Sequence, residues 1–344
     1  VDGFRVDQTT SMHSYNVLHA DGRSLGNVNV FGAKFLREWC RTLKLIRPDV
    51  MLMAEDHSDW DRVTESTENG GLGFDAVWYS SFYHHLIGDA RQGREYAKLI
   101  PTAGSGNNDP LAMDFFAGAL AASGSHKVVY HESHDEAGNS YYDEGGNRVE
   151  SRRTIVSAVN SAPLIGDTRR FAEARCHFAC GMTMLSAGTP MFLMGEEIGA
   201  QRQYRYGDFI NNREDLLGER QTNGQRLFRF YQDIIRLRLN NSGLRSHNID
   251  IIHVHNANRV IAFRRWDNSQ EFLIIATLNN NPFGSGYAIE SSRLGNGTWR
   301  EIFNSDAAPY GGNSIGNLGG SISSNNGWIN VIIPANGFVV LQQI

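Results

Sequence analysis

Over the first two hundred residues, short apolar runs alternate with stretches of helical period. Residues 1–6 (VDGFRV) read as a strand. Residues 30–45 carry Phe31, Phe35, Trp39 and Leu43 four apart and read as a helix. Residues 50–54 (VMLMA), bounded by Pro48 and by Glu55 and Asp56, read as a second strand. Residues 74–78, 127–131 (KVVYH) and 190–194 (PMFLM) read as three more, with a helix over 175–186 ahead of the last. Nearly continuous apolar strands with helices between them predict parallel strands covered on both faces. Repeated units of this kind build a barrel or an open doubly wound sheet.

The pattern changes after about residue 245. Short alternating or β-branched runs occupy 250–266, 271–280, 286–290, 298–304 and 329–344, separated by Asn/Gly/Ser turns such as 279–282 and 311–313. This predicts an all-β module of sandwich type. A helix over 228–239 leads into it, and the Gly-rich stretch 311–327 reads as sandwich loops. The expected division is an α/β part over residues 1–240 and a β-sandwich over 241–344.

Composition narrows the function classes. The 344 residues are 41% hydrophobic and 20% charged, ordinary for one large or two medium globular domains. A net charge of −5, with no basic stripe, argues against nucleic acid. No apolar run approaches the roughly 18 residues that span a bilayer, and no signal peptide is read. Cys40, Cys176 and Cys180 are too few, and odd in number, for a disulfide framework. Cys176 and Cys180, four apart in a predicted helix, read as small core residues rather than a metal pair. These features together lead to the expectation of a cytoplasmic protein without nucleic-acid or membrane partners.

Three carboxylates stand at strand ends: Asp7 after the first strand, Glu55 after the second, Asp135 shortly after 127–131. Parallel strand–helix proteins place their chemistry there. Arg5 lies two residues before Asp7, on the same side of its strand, and His134 precedes Asp135. Glycoside cleavage with retention needs two carboxyl groups about 5–5.5 Å apart. One attacks the anomeric carbon and must stay ionised, which an adjacent guanidinium favours. The other donates and then removes a proton, so it must hold that proton near neutral pH.

At these residues the chain resembles the α-amylase superfamily of glycoside hydrolases and transglycosylases. Residues 3–7 (GFRVD) resemble its nucleophile strand, 53–56 (MAED) its acid/base strand and 132–136 (ESHDE) its third catalytic motif. The resemblance implies Asp7 as nucleophile, Glu55 as acid/base and Asp135 as transition-state stabiliser. Arg5, His134 and His57 are then substrate-binding groups. It continues through 188–199 (GTPMFLMGEEIG) and into the C-terminal module. The implied fold is the C-terminal half of a (β/α)8 barrel, from its fourth strand onward, followed by a β-sandwich. The family's Asp-rich first motif is not found. The chain is therefore expected to be a C-terminal fragment, poorly stable and nearly inactive alone.

Residues 70–78 (GGLGFDAVW), 132–136 and 302–313 (IFNSDAAPYGGN) are similar to α-1,4-glucan branching enzymes. That implies a transglycosylase of glycogen biosynthesis acting on an α-glucan, with no organic cofactor. Residues 75–86 and 135–139 are also similar to maltooligosyltrehalose trehalohydrolases. A retaining hydrolase therefore stays open, as does a non-catalytic glucan-binding module. Among other residues, His84 and His85 diverge on a helix and do not read as a metal pair. Trp60 and Trp78 serve as core or rim aromatics or stack on sugar rings. Residues 208–220 read as a charged loop, Glu196 and Glu197 as a strand-end cap or rim, and no metal site is expected.

Overall fold

Strand β1 (Gly3–Val6) runs parallel to β2 (Met51–Ala54), β2 to β3 (Ala76–Trp78), and β3 to β4 (Lys127–Val129). The computed structural model describes residues 1–14, 28–88, 96–137, 152–203 and 209–344, with backbone alone at 141–142, 148–149 and 209. The β1–β2 register sets Arg5 opposite Met53 and Val6 opposite Ala54. Asp7 and Glu55, one residue further on, leave the sheet at the same end. Gly3 allows the close approach: a Cβ there would collide with the Met51 carbonyl.

The helix Val30–Ile46 covers this sheet and is capped by Asn29, whose side chain accepts the Gly32 N–H at 3.2 Å. Its buried stripe is Ala33, Leu36 and Cys40, packed with Leu52, Ala54, Leu72 and Phe74. The stripe read from sequence is displaced: Phe31 and Phe35 are exposed, and Trp39 and Leu43 sit at the margin of the core. Smaller residues allow the helix axis to approach the strands, and the phenylalanines lie on another side of the cylinder.

The chain divides into two compact units, Val1–Ser80 with Ser125–Val129, and Ser81–Gly124 with Tyr130–Ile344. In the second, the helix Gly166–Leu185 begins nine residues earlier than the sequence pattern predicts and is buried along most of its length. The strand expected over 190–194 is confined to Thr189–Pro190. Beyond it the backbone turns back on itself: Glu196 N–H donates to the Leu193 carbonyl at 3.0 Å and Leu193 N–H to the Glu196 carboxylate at 3.2 Å. The charged loop expected over 208–220 contains two short helices, Phe209–Asn212 and Leu216–Gln221.

The β module follows the helix Gln225–Asn240. Its strands are β5 (Ile249–His255), β6 (Val260–Trp266), β7 (Glu271–Thr277), β8 (Phe283–Glu290), β9 (Gly297–Asn304), β10 (Ser321–Ser324), β11 (Trp328–Ile333) and β12 (Gly337–Gln343). Six form a sheet in the order β10-β9-β12-β7-β6-β5, and β8 pairs with β11. The described pairs are antiparallel. Inward residues of both sheets, including Val260, Leu273, Ile289, Trp299, Val331 and Val339, share one core. Strand β10 lies within the stretch expected to be loops. Its Ser324 hydroxyl accepts the Trp299 indole N–H at 2.9 Å, satisfying a buried donor. The chain is thus α/β with a parallel sheet, followed by an antiparallel all-β domain.

Candidate active site

In the first unit one guanidinium joins two strand ends. Arg5 Nη1 lies 2.6 Å from Asp7 Oδ1, and Arg5 Nη2 lies 2.8 Å from Glu55 Oε2. The Arg5 guanidinium sits 4.6 Å over the Trp78 ring. Asp7 is open, its side chain 74% exposed, whereas that of Glu55 is 10% exposed. Gln8 adopts φ 45° and donates its backbone N–H to Glu55 Oε2 at 2.8 Å. His57 Nε2 is 3.7 Å from Glu55 Oε1, and its Nδ1 is 3.4 Å from Ser80 Oγ. Burial pushes the Glu55 pKa up, but His57, the Gln8 N–H and Arg5 together outweigh it and bring it to about 2. Glu55 is therefore an ionised carboxylate in this arrangement.

Beneath it lies a network the sequence did not announce. Asp56 is buried; Oδ2 accepts from Thr9 Oγ1 at 2.7 Å and contacts His13 Nε2 at 2.7 Å, while Oδ1 accepts the Ser58 N–H at 3.0 Å. Burial alone would raise its pKa; the hydrogen bonds from His13, Ser58 and Thr9 bring it to about 2. The His13 ring packs 4.9 Å from that of Trp60. Asp56 thus ties the helix Thr9–His13, and with it the Gln8 N–H, to the end of β2. Trp60 and Trp78 are held by protein contacts.

His134 and Asp135 belong to the second unit, with His134 Nε2 3.4 Å from Asp135 Oδ2. The Asp135 N–H donates to Ser133 Oγ at 3.1 Å. Just before them, His131 and Glu132 are buried. Glu132 pairs with Arg153 at 2.8 Å and accepts the Thr154 N–H at 2.5 Å. His131 Nδ1 meets Thr183 Oγ1 at 3.0 Å; that hydroxyl donates to the Ala179 carbonyl, so Nδ1 carries the proton. Its Nε2 lies 3.1 Å from Glu196 Oε1, which also accepts the Tyr231 hydroxyl at 2.5 Å. Two lone pairs facing each other at that distance repel, so a proton resides on one partner. Burial, and then the charge of Glu132, raise the Glu196 pKa well above the carboxylate range. Burial, helped by Arg153, lowers His131 to about 3. The neutral imidazole and the protonated carboxyl are the favoured pair.

Arg5, Asp7, Glu55 and His57 are brought together in one unit; His134 and Asp135 lie side by side in the other. Sequence reasoning missed His13, Thr9 and the His131–Glu196 contact, which join residues 43 to 65 positions apart and have no local pattern. Glu196, expected as a cap or rim group, is buried; Glu197 accepts the Gly195 N–H at 2.8 Å. His85 accepts the Ala97 N–H at 3.1 Å. Cys40, Cys176 and Cys180 are buried free thiols.

Comparison with known proteins adds an independent line. Residues 251–343 match the family described as the alpha amylase C-terminal all-beta domain. Over 94% of its length the chain is 27% identical to the 1,4-alpha-glucan branching enzyme GlgB of Pseudomonas syringae pv. tomato. It is likewise 27% identical, over 93%, to GlgB of Thermosynechococcus vestitus. It spans 40% and 39% of those proteins. Among solved structures, alpha-amylase from H. orenii superimposes with a TM-score of 0.59 at 17% identity, covering 100% of this chain and 61% of that one. Alpha-amylase from Geobacillus thermoleovorans, complexed with acarbose, does so at 0.60 and 14% identity, covering 100% and 60%. The likeness in structure concerns the fold.

Proposed function

We propose that this chain belongs to the α-amylase superfamily and carries the catalytic carboxylates of an α-1,4-glucan branching transglycosylase. Residues 1–240 supply the catalytic part and 241–344 the accessory sandwich. Asp7 is the nucleophile that forms the glycosyl-enzyme, Glu55 the acid/base and Asp135 the transition-state stabiliser. Arg5, His57 and His134 bind substrate. An acceptor 6-hydroxyl then takes the glycosyl group, and Glu55 removes its proton.

The observation that carries this reading is Arg5 bridging Asp7 and Glu55 at neighbouring strand ends. It keeps the proposed nucleophile beside a fixed positive charge and sets the second carboxylate within reach of the same sugar. The ionised Glu55 is ready for the base step. The acid step needs a proton on it, so the reading requires Arg5 to stay with Asp7 and release Glu55 when the sugar enters.

The test is incubation of this chain, and of any longer protein containing it, with amylose, with the Asp7→Ala variant as control. New α-1,6 linkages and new reducing ends are counted together. Branches without a matching rise in reducing ends, abolished by Asp7→Ala, support the proposal. Reducing ends without branches favour the hydrolase. Neither product, with amylose bound, leaves a binding module.

A further inference from the structure

In the first unit, residues 8–13 and 55–58 are laced together by hydrogen bonds. The Gln8 N–H donates to Glu55 Oε2 at 2.8 Å, and the Thr9 N–H to the Glu55 carbonyl at 2.9 Å. The His57 N–H donates to Thr10 Oγ1 at 2.8 Å. Below these, Asp56 Oδ2 accepts from Thr9 Oγ1 and His13 Nε2, both at 2.7 Å, and Oδ1 accepts the Ser58 N–H at 3.0 Å. The Asp56 side chain is 1% exposed, against 10% for Glu55. A carboxylate so deeply buried is costly without its donors, so it fixes where Thr9 and His13 lie.

The Gln8 N–H does not point at Glu55 unaided. Gln8 sits at φ 45° and ψ 49°, the left-handed region that a glutamine enters at a cost. Backbone of this kind persists only where its surroundings hold it. The Gln8 side chain bonds locally, accepting from Ser11 Oγ at 2.6 Å, and does not fasten it to β2. The residues that follow do: Thr9 and His13, at the two ends of the helix Thr9–His13, are both tied to Asp56.

The consequence falls on Glu55, whose two oxygens are unequal. Oε2 faces two donors, the Gln8 N–H and Arg5 Nη2, each at 2.8 Å. Oε1 faces His57 Nε2 at the longer distance of 3.7 Å. When Arg5 withdraws, the backbone N–H remains on Oε2, and a proton settles on Oε1.

We propose that Asp56 is a positioning residue for Glu55: by holding Thr9 and His13 it keeps the Gln8 N–H on Oε2 and leaves Oε1 as the oxygen that exchanges protons with the substrate. This rests on the assignment of Glu55 as acid/base made above. In the first half-reaction Asp7 bonds to the anomeric carbon. The glycosidic C–O bond breaks with its electron pair going to oxygen, and that oxygen takes the proton from Oε1. In the second, the acceptor hydroxyl oxygen displaces Asp7 from the anomeric carbon, and its proton passes to Oε1. Gln8, Thr9, His13 and Asp56 neither gain nor lose a proton.

The experiment is a carbon-13 NMR titration of the Glu55 carboxyl in the chain labelled at its glutamate side chains, the signal being assigned by its loss in Glu55→Gln. Asp56→Asn and His13→Phe break the tie. His13→Gln keeps a donor facing Asp56 without an ionisable ring. The other charged groups facing Glu55, Arg5 and His57, are common to all variants. Circular dichroism establishes that each variant is folded. From pH 6 down to about 3 the parent signal should stay near its ionised position, because Glu55 is brought to about 2. Asp56→Asn and His13→Phe should raise its midpoint by at least one pH unit, a tenfold change in the dissociation constant, and His13→Gln should restore it. Loss of the Asp56 charge acting through space would make Glu55 more acidic, so an unchanged or lowered midpoint in folded Asp56→Asn overturns the proposal. If Asp56→Asn does not fold, equal Glu55 midpoints in His13→Phe and His13→Gln overturn it. Amylose turnover is scored separately: a raised midpoint with no turnover supports the tie between Asp56 and Glu55 and overturns the branching reading.

Discussion

Glu196→Gln tests the protonation of the buried His131–Glu196 pair. Glu196 is raised above its unfolded value, so its contribution to stability is complete below the ordinary carboxyl value of 4.5 and is lost as pH rises through the folded value. His131 is lowered from 6.5 to about 3, so its contribution is present above 6.5 and lost as pH falls through about 3. Between 4.5 and 6.5 folded and unfolded chains each hold one proton on the pair, and folding moves it from imidazole to carboxyl. Stability there is independent of pH as far as these two groups go. Above 6.5 the unfolded imidazole releases its proton while the folded Glu196 keeps one. The folding constant then falls about tenfold per pH unit for as long as the folded Glu196 keeps its proton. Glutamine removes that fall and leaves the His131 slope alone, so stability rises with pH from about 3 to 6.5. Its amide donates to His131 Nε2 and accepts the Leu193 N–H but cannot accept the Tyr231 hydroxyl, so at pH 6 the variant should be about 1–3 kcal/mol less stable than the parent. The thiols of Cys176 and Cys180 are common to both proteins and cancel in the difference. Urea unfolding at pH 6, 7 and 8 is the assay. The parent midpoint should fall between pH 6 and 8 while that of Glu196→Gln rises slightly, as the unfolded His131 gives up its proton. Parallel pH profiles would refute the shared proton.

Asp56→Ala leaves Thr9, His13 and Ser58 without their common acceptor and should cost about 3–5 kcal/mol in urea unfolding. The parent's Asp56 contribution is present above the ordinary carboxyl value of 3.8 and is lost as pH falls through about 2; the variant should lack that acid-sensitive part. Arg265 is buried in the sandwich and donates to carbonyls of Asn248, Leu185, Ser186, Leu244 and Ser246, so Arg265→Ala should lower stability by about 3–5 kcal/mol in the same assay. Gly181→Ala would raise helix propensity by about 1 kcal/mol at an open position. Here its Cβ would collide with the Phe338 ring, and a net loss of about 1–3 kcal/mol in thermal or urea unfolding is expected.

Local patterns carried much of this protein into view. The strand ends holding Asp7 and Glu55 were legible because a parallel strand buried on both faces is a short apolar run, and the polar residue that ends it marks the sheet edge. The helix Val30–Ile46 and the sandwich strands were legible through period and turn residues. The pairing of Arg5 with Asp7 followed from a two-residue spacing on one strand. Tertiary structure decided the rest, because it depends on residues far apart in sequence. Arg5 shares its guanidinium with Glu55 only because β1 and β2 lie in register, and that contact helps to hold Glu55 ionised. The buried face of Val30–Ile46 was set by which side chains let the helix approach the sheet, so Ala33, Leu36 and Cys40 displaced the phenylalanine stripe. The strand expected at 190–194 gave way to a turn because Glu196 captures the Leu193 N–H. Glu196 itself, surface-like in sequence, is neutral because burial and His131 decide where its proton lies.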